Sequence, residues 1–403
     1  MALLLVLTLA STSLASDVEH YLNATEMQWR WNRGAVAESS DKAFTLQVTG
    51  RIHIEADFRD SDPGLDATLG ENNVGFPRAL LGVKGTMFHK VAYWLEANFG
   101  SGQPVLWDAF IGLKRKNGGL LAIGHFRRPF GLEILTSSND WTFVARPPTS
   151  QAFHPVYDAG LMWSGPLNRS QRLWLGVGTF LRTGLVGEIQ GDGGYSFNLR
   201  GGGLAVDDKD AGILVWLGGA IQYQSLRTQG QTVRYVAKPA TSLGPFALDT
   251  GVIDAPNDLR LGFEFAASFG PVHTQAELNW AQPDAPSDPN LWGGYVQVGW
   301  FITGERRVWS KVRAVWGLTP PESDFRGAAP GHGAWEVAVR WDRTDLSDGG
   351  VTGGEMDTLT IGVNWYWNPN ARVMVNYAYA DIRDAPTGSG SLNLVVVRWQ
   401  VRF

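Results

Sequence analysis

The side chains able to do chemistry in this 403-residue chain are mostly charged, and they recur at every second position. Twelve basic residues fall on one face of alternating segments: Arg51, Arg59, Arg78, Lys84, Lys114, Arg182, Arg200, Arg260, Arg340, Arg372, Arg398 and Arg402. Eight acidic residues share that face: Glu55, Asp57, Glu96, Asp108, Glu264, Glu277, Glu336 and Asp342. The excess is positive although the whole chain carries −5. Guanidinium groups facing a narrow aqueous space lower the barrier to anions, because low-dielectric walls focus their field. Many of these charges can equally pair across neighbouring strands. A catalytic reading is weaker. Glu133, Asp140 and His154 could be assembled into an acid–base set on paper, but the seven histidines are scattered without metal-ligand spacing. With no cysteine, thiolate chemistry and disulfides are excluded. No cofactor is called for, and the negative net charge argues against nucleic acid.

The elements that must carry these residues are strands. From Phe44 to Arg59, Phe44, Leu46, Val48, Ile52, Ile54 and Phe58 fall on one face, and Thr45, Gln47, Thr49, Arg51, His53, Glu55, Asp57 and Arg59 on the other. The last segment behaves alike, with Val395, Val397, Val401, Trp399 and Phe403 opposite Arg398, Gln400 and Arg402. A period of two over about ten residues suits a strand with lipid on one side and water on the other. Sixteen such segments begin near Phe44, Phe76, Val91, Pro104, Gly118, Asp158, Arg172, Tyr195, Ala211, Asn257, Pro271, Leu291, Gly333, Met356, Ala371 and Leu392. Val308–Leu318 is rejected as a seventeenth, because a barrel with both ends on one side needs an even number. Short turns then fall on one side. Longer loops (60–75, 127–157, 183–194, 226–256 and 383–391) fall on the other, and 304–332 is an exception as a long connection on the short-turn side.

Trp163, Tyr223, Trp280, Trp300, Trp335, Trp341, Trp365, Trp367, Tyr377, Tyr379 and Trp399 occupy outward positions, as girdles at the two membrane interfaces would. Charged residues are 18% of the chain, below the roughly 25% of soluble domains. The expected fold is therefore all-β: a 16-stranded antiparallel transmembrane β-barrel over 44–403 with an inward-folded constriction loop at about 127–157. Residues 1–15 read as a secretory signal, with an apolar run Ala2–Ala10 and small residues at Ser13 and Ala15, although no basic residue precedes the run. Residues 16–43 read as a periplasmic arm. Outer-membrane lipid and lipopolysaccharide are the expected surroundings, and the terminal Phe403 is read as the assembly machinery's recognition end.

The loop 127–157 is too apolar for a solvated outer loop. Arg127-Arg128-Pro129-Phe130-Gly131 opens it, and Trp141, Phe143, Pro147, Pro148 and Phe153 follow. Folded against the inner wall, it would bring Arg127, Arg128, Arg146 and His154 to the narrowest point. Arginine suits an anion filter because its planar fork bonds two oxygens and stays charged.

Several motifs in order resemble the phosphate-selective porin O/P family. They are Thr49-Gly50-Arg51-Ile52-His53-Ile54-Glu55-Ala56, Asp108-Ala109-Phe110-Ile111, Phe130-Gly131-Leu132-Glu133 and Thr136-Ser137-Ser138. Gly294-Tyr295-Val296-Gln297, Thr303-Gly304-Glu305, Gly333-Ala334-Trp335-Glu336, Asn364-Trp365-Tyr366 and Asn368-Pro369-Asn370 continue the match, which covers about 34–403. The resemblance implies a 16-stranded, usually trimeric barrel passing phosphate or polyphosphate. It assigns Arg146 as the loop arginine, Asp108 as the facing acid, and Ser137 and Ser138 as loop hydroxyls. Arg51, Arg59, Arg78, Arg200, Arg260, Arg340 and Arg398 would form the arginine ladder. One departure is Ile134, where selective members carry lysine after the loop glutamate. Expected, then, is passive diffusion of small anions. A general, weakly selective pore is the alternative, and a barrel enzyme or adhesin the remote one.

Overall fold

The structure is a computed structural model and describes residues 27–100, 102–155, 157–184, 194–226, 231–327 and 331–403. The expected signal segment 1–15 lies outside the described residues. Eighteen strands form one antiparallel sheet. Sixteen of them close into a barrel: Thr45–Ser61, Asn73–Met87, Val91–Asn98, Val105–Lys114, Leu120–Arg127, Tyr157–Pro166, Leu173–Leu181, Tyr195–Asp208, Ile213–Ser225, Asn257–Phe269, Val272–Pro283, Leu291–Phe301, Ala334–Asp348, Val351–Asn368, Ala371–Ala385 and Gly388–Arg402. The last strand pairs with the first, from Leu392 opposite Ser61 to Arg402 opposite Arg51.

The expected register holds on the wall. Ile52, Ile54 and Phe58 are exposed on the lipid face, while Arg51, His53, Glu55, Asp57 and Arg59 are buried inside. Outward Trp300, Trp335, Trp341 and Trp399 are exposed to the same side as the aliphatic residues. No backbone donor is left toward lipid in a closed sheet, which is why a barrel is a stable way to cross with strands.

Three expectations change. The arm is more than a lead-in: Met27–Trp31 and Ala35–Ser39 form a hairpin whose second strand pairs with the first barrel strand, Val36 opposite Gln47 through Glu38 opposite Thr45. It covers the stretch of that strand which the chain's last residue does not reach. The supposed long loop 383–391 is a turn at residues 386–387, because the flanking strands run on past the membrane. The connection 304–332 turns inward and fills the barrel mouth on the short-turn side. There Trp316 is fully buried and packs edge-on against Trp309 at 5.0 Å. Arg200 donates to the carbonyl of Ala314 at 2.8 Å, and Trp174 Nε1 to that of Val312 at 2.9 Å.

At the opposite mouth the loop 226–256 also turns inward. Leu226, Val233, Tyr235, Leu248 and Ile253 pack on inward-facing Met356, Met374, Ile382, Leu392, Leu394 and Val396. A fourth expectation changes here, because this segment is packed inside the mouth and is not a solvated outer loop. These inward positions are apolar because they meet a packed loop instead of water.

Candidate functional site

The loop after the strand Leu120–Arg127 runs through the barrel interior and carries two short helices, Leu132–Leu135 and Pro148–Phe153. Its entry is shaped by Gly131, which has φ 79° and whose added Cβ would stand 2.5 Å from the His154 ring. Only glycine combines that backbone region with so close an approach. Phe130, Leu132, Ile134, Trp141, Phe143, Val144 and Phe153 are all essentially fully buried. At roughly 1.5–3 kcal/mol for each fully buried large apolar side chain, this burial is the main force holding the loop inside. Ile134 is part of it, so this position contributes packing.

Hydrogen bonds from the wall then fix where the loop main chain lies. The Glu277 carboxylate accepts from the backbone N–H groups of Leu132 and Glu133 at 2.5 and 3.0 Å. Arg340 donates to the carbonyl of Ala145 at 3.0 Å, Arg372 to that of Trp141 at 2.8 Å, and Arg260 to that of Phe153 at 2.8 Å. Arg398 donates to the carbonyl of Val144 and pairs with Glu55. Arg307, from the inward connection 304–332, donates to the carbonyl of Asp140 at 3.0 Å. Of the expected ladder, Arg260, Arg340 and Arg398 therefore hold the loop, and Arg340 and Arg398 are fully buried behind it.

The expected site residues fall into two sets. One set is neutralised. Arg51 pairs with Glu96 at 2.9 Å, Arg59 with Asp57 at 2.7 Å, Arg128 with Asp158 at 3.1 Å, Arg200 with Glu264 at 2.7 Å and Arg260 with Asp258 at 2.8 Å. Arg128 also donates to Ser196 and Gln224, which turns it along the wall. Arg59 donates to the carbonyl of Leu243, holding the second inward loop. Ser137 and Ser138 accept from Arg51 at 3.4 and 3.3 Å.

The other set lacks a direct ion pair. Among the described residues, Arg78, Arg127, Arg146, Arg340 and Arg372 have no carboxylate within ion-pair distance. Arg127 is held by neutral groups, the Tyr157 hydroxyl at 2.8 Å and the carbonyl of Ile134 at 2.7 Å. Arg78 and Arg146 stand over the Trp141 ring, 4.5 and 4.7 Å from its centroid. Buried nitrogens without a hydrogen-bond partner remain on Arg78 (Nε, Nη1), Arg146 (Nε), Arg340 (Nε, Nη2) and Arg372 (Nε). Burial pushes Arg146 down, to about 9, which leaves it charged at neutral pH. Burial also pushes His154 in the loop down, to about 3, so it is neutral and bonds Asn279 at 3.1 Å. Trp141 is the residue that sequence reasoning did not single out as a site member. Its flanking by arginines is visible only in three dimensions.

The paper triad does not form. Glu133 accepts from Gln275 and His154 bonds Asn279, both on the strand Val272–Pro283, while Asp140 pairs with Arg402 of the last strand, so the three side chains take separate partners.

The sequence profile described as phosphate-selective porin O and P matches residues 46–403. The chain belongs to this family. It is an outer-membrane porin. Porin O of Pseudomonas aeruginosa is 26% identical over 395 residues, covering 86% of this chain and 85% of that protein. Among solved structures, an anion-selective porin from Comamonas acidovorans matches with a TM-score of 0.52 at 13% identity, over 89% of this chain and 100% of that one. The trimer form of OmpT from Vibrio cholerae matches with a TM-score of 0.53 at 12% identity, over 90% and 100%. At these identities the two structures speak to the fold alone.

Proposed function

We propose that this porin conducts small anions in preference to cations, with phosphate the leading solute, and that it does no covalent chemistry. The observation that carries the proposal is the set without a direct ion pair, Arg78, Arg127, Arg146, Arg340 and Arg372, around the inward loop. Arg51, Arg59, Arg128, Arg200, Arg260 and Arg398 are each tied to a carboxylate, so these five supply the arginine charge that has no direct ion pair around the loop. A buried guanidinium that lacks a carboxylate favours an anion passing within reach, since buried charge is stabilised by pairing. Arg146 is the loop arginine and Asp108 the facing acid of the proposed phosphate path. Ser137 and Ser138 are its hydroxyls, with Arg51 behind them. The porin is further proposed to assemble as a homotrimer surrounded by lipopolysaccharide, and to present Phe403 to the assembly machinery.

The test is a reversal potential in a planar bilayer under a potassium chloride gradient. Anion preference in the wild-type protein, reduced in Arg146→Ala, is the expected result. Cation preference would overturn the reading. Block of the chloride current by millimolar phosphate tests the solute separately.

A further inference from the structure

A cavity of ≈ 180 Å³ opens between the inward loop and the strands Val105–Lys114, Leu120–Arg127 and Tyr157–Pro166. Its two walls differ in chemistry. One is apolar: Phe110, Leu120, Ala122, Phe126 and Met162 occupy lumen-facing positions where other strands carry arginine, glutamate or asparagine. Ala122 and Phe126 form a buried cluster with Phe180, against which Phe110, Leu120 and Met162 pack. The rings meet edge to face, Phe110 with Phe126 at 5.6 Å and Phe126 with Phe180 at 5.6 Å. Leu135 of the loop continues this wall.

The other wall is charged, with Arg51, Arg127 and Arg313 against Glu96 and Asp108. Arg51 is tied to Glu96 at 2.9 Å and Arg127 to the Tyr157 hydroxyl at 2.8 Å. Arg313 comes from the inward connection 304–332. It is exposed into the lumen, and among the described residues its side chain makes no hydrogen bond or ion pair. Three guanidinium groups against two carboxylates leave one positive charge beside an aromatic surface.

Inorganic phosphate does not exploit such a place, because its charged oxygens lose water against Phe and Met without a compensating bond. A ring bearing a single acidic group uses both walls. An apolar cavity of about 150 Å³ is enough for benzene, so ≈ 180 Å³ admits a ring with a small head group. We propose that this cavity is a subsite for small amphiphilic monoanions, aromatic carboxylates being the class. The ring would lie on Phe110 and Phe126 and the carboxylate on Arg313 and Arg127. The proposal rests on the anion-channel reading and adds a solute class to it.

Benzoate and acetate, added in turn to the wild-type channel carrying chloride current in a planar bilayer, test it. Benzoate is expected to half-block at about tenfold lower concentration than acetate, from burial of the ring. Phe110→Leu is expected to shrink that ratio, and Arg313→Ala to weaken block by both ions. Arg313 belongs to the connection 304–332 and Phe110 to a barrel strand, so one variant remains informative if the other fails to fold. Equal block by benzoate and acetate, or a ratio unmoved by Phe110→Leu, would overturn the subsite. A potassium-selective reversal potential in the same bilayers would instead overturn the underlying channel reading.

Discussion

Arg146 lies over Trp141, its guanidinium carbon 4.7 Å from the ring centroid, and among the described residues no carboxylate stands within ion-pair distance of it. The ring is itself fixed, with Nε1 donating to the carbonyl of Thr136 at 3.1 Å. Cation–π contact of this kind contributes about 0.5–2 kcal/mol and leaves the cation formally unneutralised. Trp141→Leu is therefore expected to lower anion preference in the same direction as Arg146→Ala, because Arg78 and Arg146 lose their common support. Reversal potentials of the two variants and the double variant check this. Full additivity would show that the two residues act independently.

The Arg398–Glu55 pair has both side chains fully buried and also carries the carbonyl of Val144. Removing one partner of a buried pair leaves a charge uncompensated, at a cost of about 3–5 kcal/mol. Glu55→Gln is expected to lower the unfolding midpoint in denaturant and to raise anion preference together. A double change, Glu55→Gln with Arg398→Met, is expected to recover stability while loosening the loop, seen as added noise in single-channel current.

Gly131 sets the reversal at the loop entry. Gly131→Val demands a left-handed backbone from a β-branched residue and drives its Cβ into His154. The barrel wall does not depend on that position, so the variant is expected to fold and to show a higher conductance with weaker ion preference. An unchanged conductance would mean that the loop can enter by another path.

The imidazole of His154 gives a pH dependence whose sign follows from its burial. Its value is pushed down from 6.5 to about 3 by desolvation in the docked loop. An undocked loop, hydrated, takes up a proton that the docked loop refuses. Docking is thus unaffected above about pH 6.5 and weakens as pH falls from there toward 3. The hydrogen bond to Asn279 partly opposes this downward shift, and the charges of Arg146, Arg260 and Arg200 reinforce it. Channel noise is expected to rise between pH 6.5 and 4 in the wild-type protein and to lose that dependence in His154→Gln. Flat behaviour in the wild-type protein would refute it.

The barrel seam ends where Phe403 exchanges hydrogen bonds with Gly50, at 2.9 and 2.7 Å, and its ring rests on that glycine. Gly50→Val is expected to reduce the folded fraction on a heat-modifiability gel, since an added side chain would run into the ring.

The strands were legible because lipid and water impose opposite demands on successive residues, as Arg51-Ile52-His53-Ile54-Glu55 shows. The inward loop was legible because Phe130, Trp141, Phe143 and Phe153 had no reason to be in solvent. The other two inward segments were missed although the signal was present. Leu394 and Val396 beside Val395 and Val397 make both faces of the last strand apolar over that stretch, and such a stretch is covered on both sides. Trp309 and Trp316 mark 304–332 in the same way. The pairing that separates neutralised from free arginines was not legible at all, because it depends on which strands become neighbours and on where a loop distant in sequence comes to rest.

The stitching of the loop main chain by Arg340, Arg372, Arg260 and Arg398 separates two properties that a channel must hold together. The width of the opening is written into carbonyl positions, which every residue type supplies alike. The taste of the opening is written into side chains such as Ile134, Ser137 and Arg146. Divergence within the loop can therefore change which solute is preferred while the aperture stays the same.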